Sequence, residues 1–156
     1  MVKEIVVRQY PELDEVFELE LDADAPENAP LPGMVNAFGY DPDGWEFTGT
    51  PLAGNLKGKF KLVQVGAQPN LDAVEAALEA KYGPTPSGQW MRAFKYVFPI
   101  ADGKGPIGVA DASWVHPDSF GRFPYVNYSG RPYFRWTGHD PYDNWRWLVA
   151  VPDESE

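Results

Sequence analysis

The chain has 156 residues, of which 44% are apolar and 23% are charged, with no cysteine and a formal net charge of -10 at pH 7. This composition excludes extensive disorder, collagen, coiled coils, disulfides and cysteine-based metal or thiol chemistry, and no apolar run approaches the roughly 20 residues that cross a bilayer. We therefore expect one domain over residues 1–156 with no membrane partner and, because no targeting segment is visible, a cytoplasmic location.

The negative charge is concentrated in the first third of the sequence. Residues 1–50 hold two basic side chains against twelve acidic ones, residues 51–100 hold six against three, and residues 101–156 hold five against eight. A net negative protein repels nucleic acid at long range, so binding to nucleic acid requires a local basic patch. The acidic third is typical of a solvated surface, and its alternative role is to dock on a protein partner.

Short strands and turns dominate the first half of the predicted structure, because the 16 Pro and 15 Gly favour turns. Strands are predicted at 2–9, 15–22, 45–50 and 56–66, and a Pro-rich acidic loop is predicted at 23–33. One helix is predicted over about 70–82, since Asn70 is a suitable N-cap and Gly83 ends the apolar stripe.

The second half of the sequence predicts further strands with period-2 patterns. These are expected at 89–98, 107–115, 121–128, 131–137 and 145–151, followed by a mobile acidic tail at 152–156. The predicted fold is α+β and mostly antiparallel: a twisted sheet, sandwich or partly open barrel of about eight to nine strands with one helix packed on it.

The segment Gly103–Gly108 matches the glycine pattern of dinucleotide-binding loops, G-x-G-x-x-G. In those loops a helix must follow, so that its N-terminal amides face the pyrophosphate. Here Pro106 removes one amide and the sequence continues as a strand. We therefore expect a hairpin loop at this position and no cofactor.

Two loops combine histidine with aspartate and offer a candidate for a metal or catalytic site. They contain His116 with Asp118 and His139 with Asp140. If the loops converge, these four side chains suit a divalent cation or a histidine base oriented by a carboxylate, as in a small metal-dependent hydrolase. The stronger expectation is that the aspartates form turns and caps.

The most informative stretch is residues 121–151, which holds nine of the 23 aromatic residues. A two-residue hairpin loop at Ser129 and Gly130 predicts Arg122 opposite Thr137 and Val126 opposite Tyr133. With that register, one face buries Phe123, Tyr125, Phe134, Trp136, Trp145 and Trp147. The opposite face then carries the predicted ligand-binding residues, which are Arg122, Tyr128, Arg131, Tyr133, Arg135 and Arg146.

A face of arginines and tyrosines is suited to an extended polyanion, because guanidinium groups bind phosphates and tyrosine rings stack on bases. The leading hypothesis is a non-enzymatic binding protein for single-stranded nucleic acid. One alternative is a protein interaction module or inhibitor that docks through the acidic first third or the same face. The other is the metal-dependent hydrolase built on the histidine loops. An arginine face that merely coats an exposed sheet also fits the pattern.

Overall fold

The computed structural model describes residues 9–118, 120–136 and 144–151 and shows an α+β fold, as predicted. Its described residues form one open sheet of eight strands, mostly antiparallel and not closed into a barrel, with three α-helices. The strands are β1 (Phe17–Asp22), β2 (Glu46–Phe47), β3 (Asn55–Val63), β4 (Ile107–Gly108), β5 (Trp114–Val115), β6 (Gly121–Val126), β7 (Pro132–Trp136) and β8 (Arg146–Ala150). The helices are α1 (Val35–Ala37), α2 (Leu71–Tyr82) and α3 (Trp90–Val97).

Strand order places the last strand, β8, in the middle of the sheet. From the β1 edge the order is β1, β3, β8, β4 and β6, and β7 pairs with the far side of β6. β5 follows β4 along the same side of β6 and also pairs with β2. The β4–β8 pair is parallel, and the other pairs between the named strands are antiparallel.

β1 illustrates how the alternating pattern specifies a strand with one buried face. Phe17, Leu19 and Leu21 are buried, and the three acidic residues between and after them are exposed. The strand pairs with β3 in a continuous antiparallel register from Phe17 opposite Phe60 to Asp22 opposite Asn55. The predicted strand at 15–22 is therefore confirmed, with slightly shorter bounds.

Both faces of the central sheet are covered, whereas the sequence predicts a single helix packed on the sheet. The first face packs on α3 and on the segment around α1, in a core that includes Phe17, Phe94, Trp114 and Leu148. The second face packs on α2 in a separate core, which includes Leu78 and Trp147. β8 is consequently buried on both faces, and only its last residue is exposed.

The predicted helix at about 70–82 is confirmed by α2. The Asn70 side chain accepts a hydrogen bond from the backbone N–H of Ala73, and Asp72 lies in the first turn. Gly83, with a φ of +86°, ends the helix, as the sequence predicts.

The strand predicted at 89–98 is wrong, because this segment forms α3. Buried residues recur at Trp90, Met91, Ala93 and Phe94, which is helical spacing, and this pattern overlaps the alternation of aromatic residues that favours a strand. The turn before it starts the helix, since Met91 donates its backbone N–H to the carbonyl of Gly88.

Two further predictions are corrected between 101 and 115. The Gly103–Gly108 segment does lead into a strand, β4, but it connects a helix to that strand and is not a hairpin loop. The strand expected at 107–115 is divided into β4 and β5, because the Asp111 carboxylate accepts hydrogen bonds from the backbone N–H groups of Gly88 and Ser113. The predictions for residues 2–8 and 152–156 lie outside the described residues.

Candidate functional site: an aromatic–arginine platform

The turn between β6 and β7 decides which side chains share a face. Asn127 donates its backbone N–H to the carbonyl of Arg131, so the loop contains Tyr128, Ser129 and Gly130. The Asn127 side-chain oxygen accepts hydrogen bonds from the backbone N–H groups of Ser129 and Arg131. Gly130 takes a φ of +89°, which suits the third position of such a loop. The predicted two-residue loop is therefore wrong.

The longer loop shifts the register of the hairpin by one residue. Arg122 lies opposite Trp136 and Phe123 lies opposite Arg135. Because side chains alternate along a strand, Arg122 is on the face opposite to Tyr133 and Arg135. The predicted grouping of aromatic residues is also corrected, since Phe123 and Phe134 belong to the two separate cores.

Arg146 is not available to a ligand. Its side chain is 4% exposed and forms two hydrogen bonds of 2.6 and 2.9 Å to the Asp102 carboxylate. A third bond, of 2.7 Å, goes to the backbone carbonyl of Gly105, and the guanidinium lies 5.5 Å from the centroid of the Tyr10 ring. The predicted ligand-binding role of Arg146 is replaced by an internal ion pair that fixes the 102–105 loop.

Arg122 is also paired within the chain. Its Nη2 lies 2.6 Å from Oδ2 of Asp118. Loss of hydration raises the pKa of the Asp118 carboxyl, but hydrogen bonds from the Phe120 backbone and from Arg122 lower it overall. Tyr128 is exposed at the loop tip, apart from the strands.

The remaining predicted residues contribute to a cluster that we call the aromatic–arginine platform, made of Tyr125, Tyr133, Arg135 and Trp145. Tyr125 and Tyr133 face each other across the hairpin with ring centroids 5.7 Å apart, and Tyr125 lies 5.0 Å from Trp145. The Arg135 guanidinium lies 5.7 Å from the Tyr125 centroid and 5.3 Å from that of Trp145. Three aromatic rings and one cation therefore form a contiguous surface on the α2 side of the sheet.

The platform is partly accessible and carries positive charge that is not paired within the part of the chain that the structure describes. Tyr125, Tyr133 and Arg135 are half-buried, and Trp145 is 3% exposed and forms the floor. Within the described ranges, neither Arg135 nor the exposed Arg131 has an ion-pair partner. Nε of Arg135 is buried and has no hydrogen-bond partner among those residues. Arg135 thus differs electrostatically from Arg122 and Arg146.

Access to the platform is across the sheet face, because the outer edge of β7 is blocked. Pro132 has no N–H to offer at that edge, and the N–H of Phe134 is donated to the Tyr40 hydroxyl. Burial raises the pKa of Tyr40, although that hydrogen bond lowers it in part.

The candidate metal site has no support within the described residues. There, no group of three or more His, Asp or Glu side chains is arranged to hold a metal ion. Nδ1 of His116 accepts a hydrogen bond from the Asp118 backbone, and both Asp118 oxygens are bonded within the same turn. This is the turn role that the sequence favours. His139 and Asp140 lie outside the described residues.

The sequence predicts Tyr125 and Trp145 on a buried face; Trp145 is buried, as predicted, whereas Tyr125 is half-buried and belongs to the platform. The signal in the sequence for the platform is the alternation of Tyr133 and Arg135, which places both side chains on one face of β7. The missing information was the length of the loop, since a one-residue slip moves a whole strand to the other face.

Comparisons with known proteins give no match. No family model matches the sequence, no curated protein is similar to it, and no solved structure resembles it. Among the residues described, no helix has the length and apolar character needed to cross a membrane.

Proposed function

We propose that this chain is a non-enzymatic binding protein whose aromatic–arginine platform stacks on the bases of single-stranded nucleic acid. The observation that carries the proposal is the Arg135 guanidinium over Tyr125 and Trp145, with Tyr133 beside them and with no ion-pair partner for Arg135 among the described residues. Aromatic rings and guanidinium planes accept any base by its π face, and each stacked base contributes about 1–3 kcal/mol.

Arg131 supports the same proposal by extending the platform along β7. Arg131, Tyr133 and Arg135 occupy alternate positions, so they share one face. Arg131 directly precedes β7, and four residue steps of extended chain separate it from Arg135 by about 13 Å, with Tyr133 between them. This arrangement offers a cation at each end for phosphates and a ring between them for a base.

The charge of the whole molecule sets the expected character of binding. A net charge of -10 opposes long-range attraction of a polyanion. Two arginines contacting two phosphates give a slope of about -1.4 for the logarithm of the affinity against the logarithm of salt concentration. We therefore expect binding with weak salt dependence, since ring stacking contributes more than ionic attraction.

The test is titration of a fluorescently labelled oligothymidylate of about 15 nucleotides. Arg135→Ala and Tyr133→Ala should each weaken binding by roughly fivefold or more, and Tyr133→Phe should retain it because the ring remains. Arg122→Ala is the matched control, since Arg122 lies on the opposite face in its own ion pair. An abasic oligonucleotide keeps the phosphates and removes the bases, so it should bind at least about fivefold more weakly.

Equal loss of affinity in Arg122→Ala and Arg135→Ala would contradict the assignment of the platform. Equal affinity for the abasic oligonucleotide would contradict base stacking. Absence of binding to the labelled oligothymidylate at low salt would reject the proposed function altogether.

A further inference from the structure

The outer edge of β1 offers a second surface, distinct from the platform. Val151 donates its backbone N–H to the carbonyl of Lys59, so the backbone N–H and C=O of Lys59 point toward β8. Glu18 lies opposite Lys59 in the register, so the backbone N–H and C=O of Glu18 point away from β3. Those of Glu20 do so too, because successive residues of an antiparallel strand direct their backbone groups to opposite sides. The N–H of Ala23, bonded to the carbonyl of Gly54, agrees with this alternation.

The outward backbone groups of Glu18 and Glu20 have no hydrogen-bond partner among the described residues. At the end of β1, the carbonyl of Asp22 is already bonded to the side chain of Asn28 and the backbone of Ala25. Among the described residues, this edge therefore presents two N–H groups and two carbonyls without a partner, next to the end of β1 where the Asp22 carbonyl is already bonded. Such an edge is a template for an added strand.

The space beside this edge is open and its two sides differ chemically. Cavities of about 270 and 300 Å³ lie between β1 and α3. Glu18, Glu20 and Asp22 project from one face of β1. On the α3 side lie Val97 and Tyr96, which is 73% exposed. An added strand would thus meet carboxylates on one face, where Glu20 also pairs with Lys57. On the other face it would meet the rings and methyl groups of Tyr96 and Val97, with Arg92, which donates to the Asn28 side chain, in the cavity beside Asp22.

We propose that the β1 edge binds an extended basic peptide segment of a partner protein, in which lysine or arginine alternates with apolar residues. Basic side chains on the exposed face would lie opposite Glu18 and Glu20, and the intervening apolar side chains would lie against Tyr96 and Val97. Opposite-charge pairs across strands are favourable and like-charge pairs are not. A second copy of β1 would place glutamates opposite glutamates, so charge disfavours self-pairing and selects a basic strand.

The test uses the full chain and a capped heptapeptide in which lysine and valine alternate, with lysine at both ends. We assign the peptide an antiparallel orientation to β1 with lysines directly opposite Glu18 and Glu20, so the lysine N–H groups face β1 and the valine N–H groups face away from it. N-methylation of the central lysines should therefore lower affinity roughly tenfold or more, whereas N-methylation of the valines should change it less than about twofold. Both modified peptides keep the charge of the parent peptide.

Variants of the protein provide a second measurement. Glu18→Gln combined with Glu20→Gln should weaken binding by roughly fivefold or more, and Glu46→Gln combined with Glu79→Gln is the charge-matched control elsewhere on the surface. Hydrogen exchange at the Glu18 and Glu20 amides should slow on peptide addition. Equal binding of the two N-methylated peptides, unchanged exchange at these amides, or no binding of the parent peptide would overturn the proposal. Arg135→Ala should leave peptide binding unchanged, which separates this surface from the platform.

Discussion

Replacing Asp102 with Asn should be strongly destabilising, because it leaves the buried charge of Arg146 without a counter-ion. The Arg146 side chain is 4% exposed and that of Asp102 is 9% exposed. The two hydrogen bonds between them measure 2.6 and 2.9 Å and use both carboxylate oxygens. In the asparagine variant one oxygen is replaced by an NH2 donor, so the guanidinium keeps at most one of these two positions and the bond to the Gly105 carbonyl, without a counter-charge. Removing one partner of a buried pair costs about 3–5 kcal/mol.

That loss corresponds to a decrease in melting temperature of about 6–20 °C for a chain of this length. Urea unfolding of Asp102→Asn measures it directly. Removing both charges, in Asp102→Leu with Arg146→Met, should recover most of the lost stability, since no unpaired charge remains. Glu20→Gln is the control, because Glu20 pairs with Lys57 at the exposed surface at 3.3 Å and contributes at most about 1 kcal/mol.

The Asp102–Arg146 ion pair also predicts that the free energy of unfolding falls at low pH. Burial raises the pKa of the Asp102 carboxyl, but hydrogen bonds from Arg146 and the Lys104 backbone lower it more, so the pKa lies below its usual value. The contribution to stability is therefore present above about pH 4 and is lost as the pH falls through the lowered pKa. An Asp102→Asn variant with stability within about 1 kcal/mol of the original chain would refute this reasoning.

Three other predictions concern single positions. Asn70→Ala should destabilise by about 1 kcal/mol in urea unfolding, because α2 loses its N-cap, and an unchanged midpoint would contradict this. Gly105→Ala should lower the melting temperature more than Gly83→Ala, since a new Cβ would overlap the Asn144 carbonyl oxygen at the first position and meets nothing within 4 Å at the second. Burial raises the pKa of Tyr10 to about 12, so its contribution to stability is present below about pH 10 and is lost as the pH rises toward 12. Tyr10→Phe should reduce that alkaline loss, and identical unfolding curves from neutral to alkaline pH would contradict it.

Local chemistry was sufficient where an element carries its own boundary signals. α2 begins at an asparagine cap and ends at a glycine, and both signals lie in the sequence itself. The alternation of Phe17, Leu19 and Leu21 likewise specified β1 and its buried face. These predictions depend on contacts within a few residues, so no knowledge of the partner strands was needed.

The site was predicted only in part, because its composition depends on a pairing between strands. Tyr133 and Arg135 were grouped correctly by their spacing along β7. Arg122 was placed with them only through an assumed loop length, and Asn127, by capping a longer loop, moved it to the other face. Arg146 is buried in an ion pair with Asp102, which lies 44 positions away in the sequence, so this arginine does not contribute to the surface.

The sequence by itself determined the fold class, the capped helix and the alternation within individual strands, since these follow from backbone propensity and from the period of apolar residues. The tertiary structure decided that α3 is a helix, because α3 packs on β1 with helical spacing. It also decided which arginines are paired within the described residues and which face each lies on, because an ion pair between distant residues and a one-residue register shift are settled by packing across the whole sheet. The aromatic–arginine platform and the β1 edge are both products of that packing.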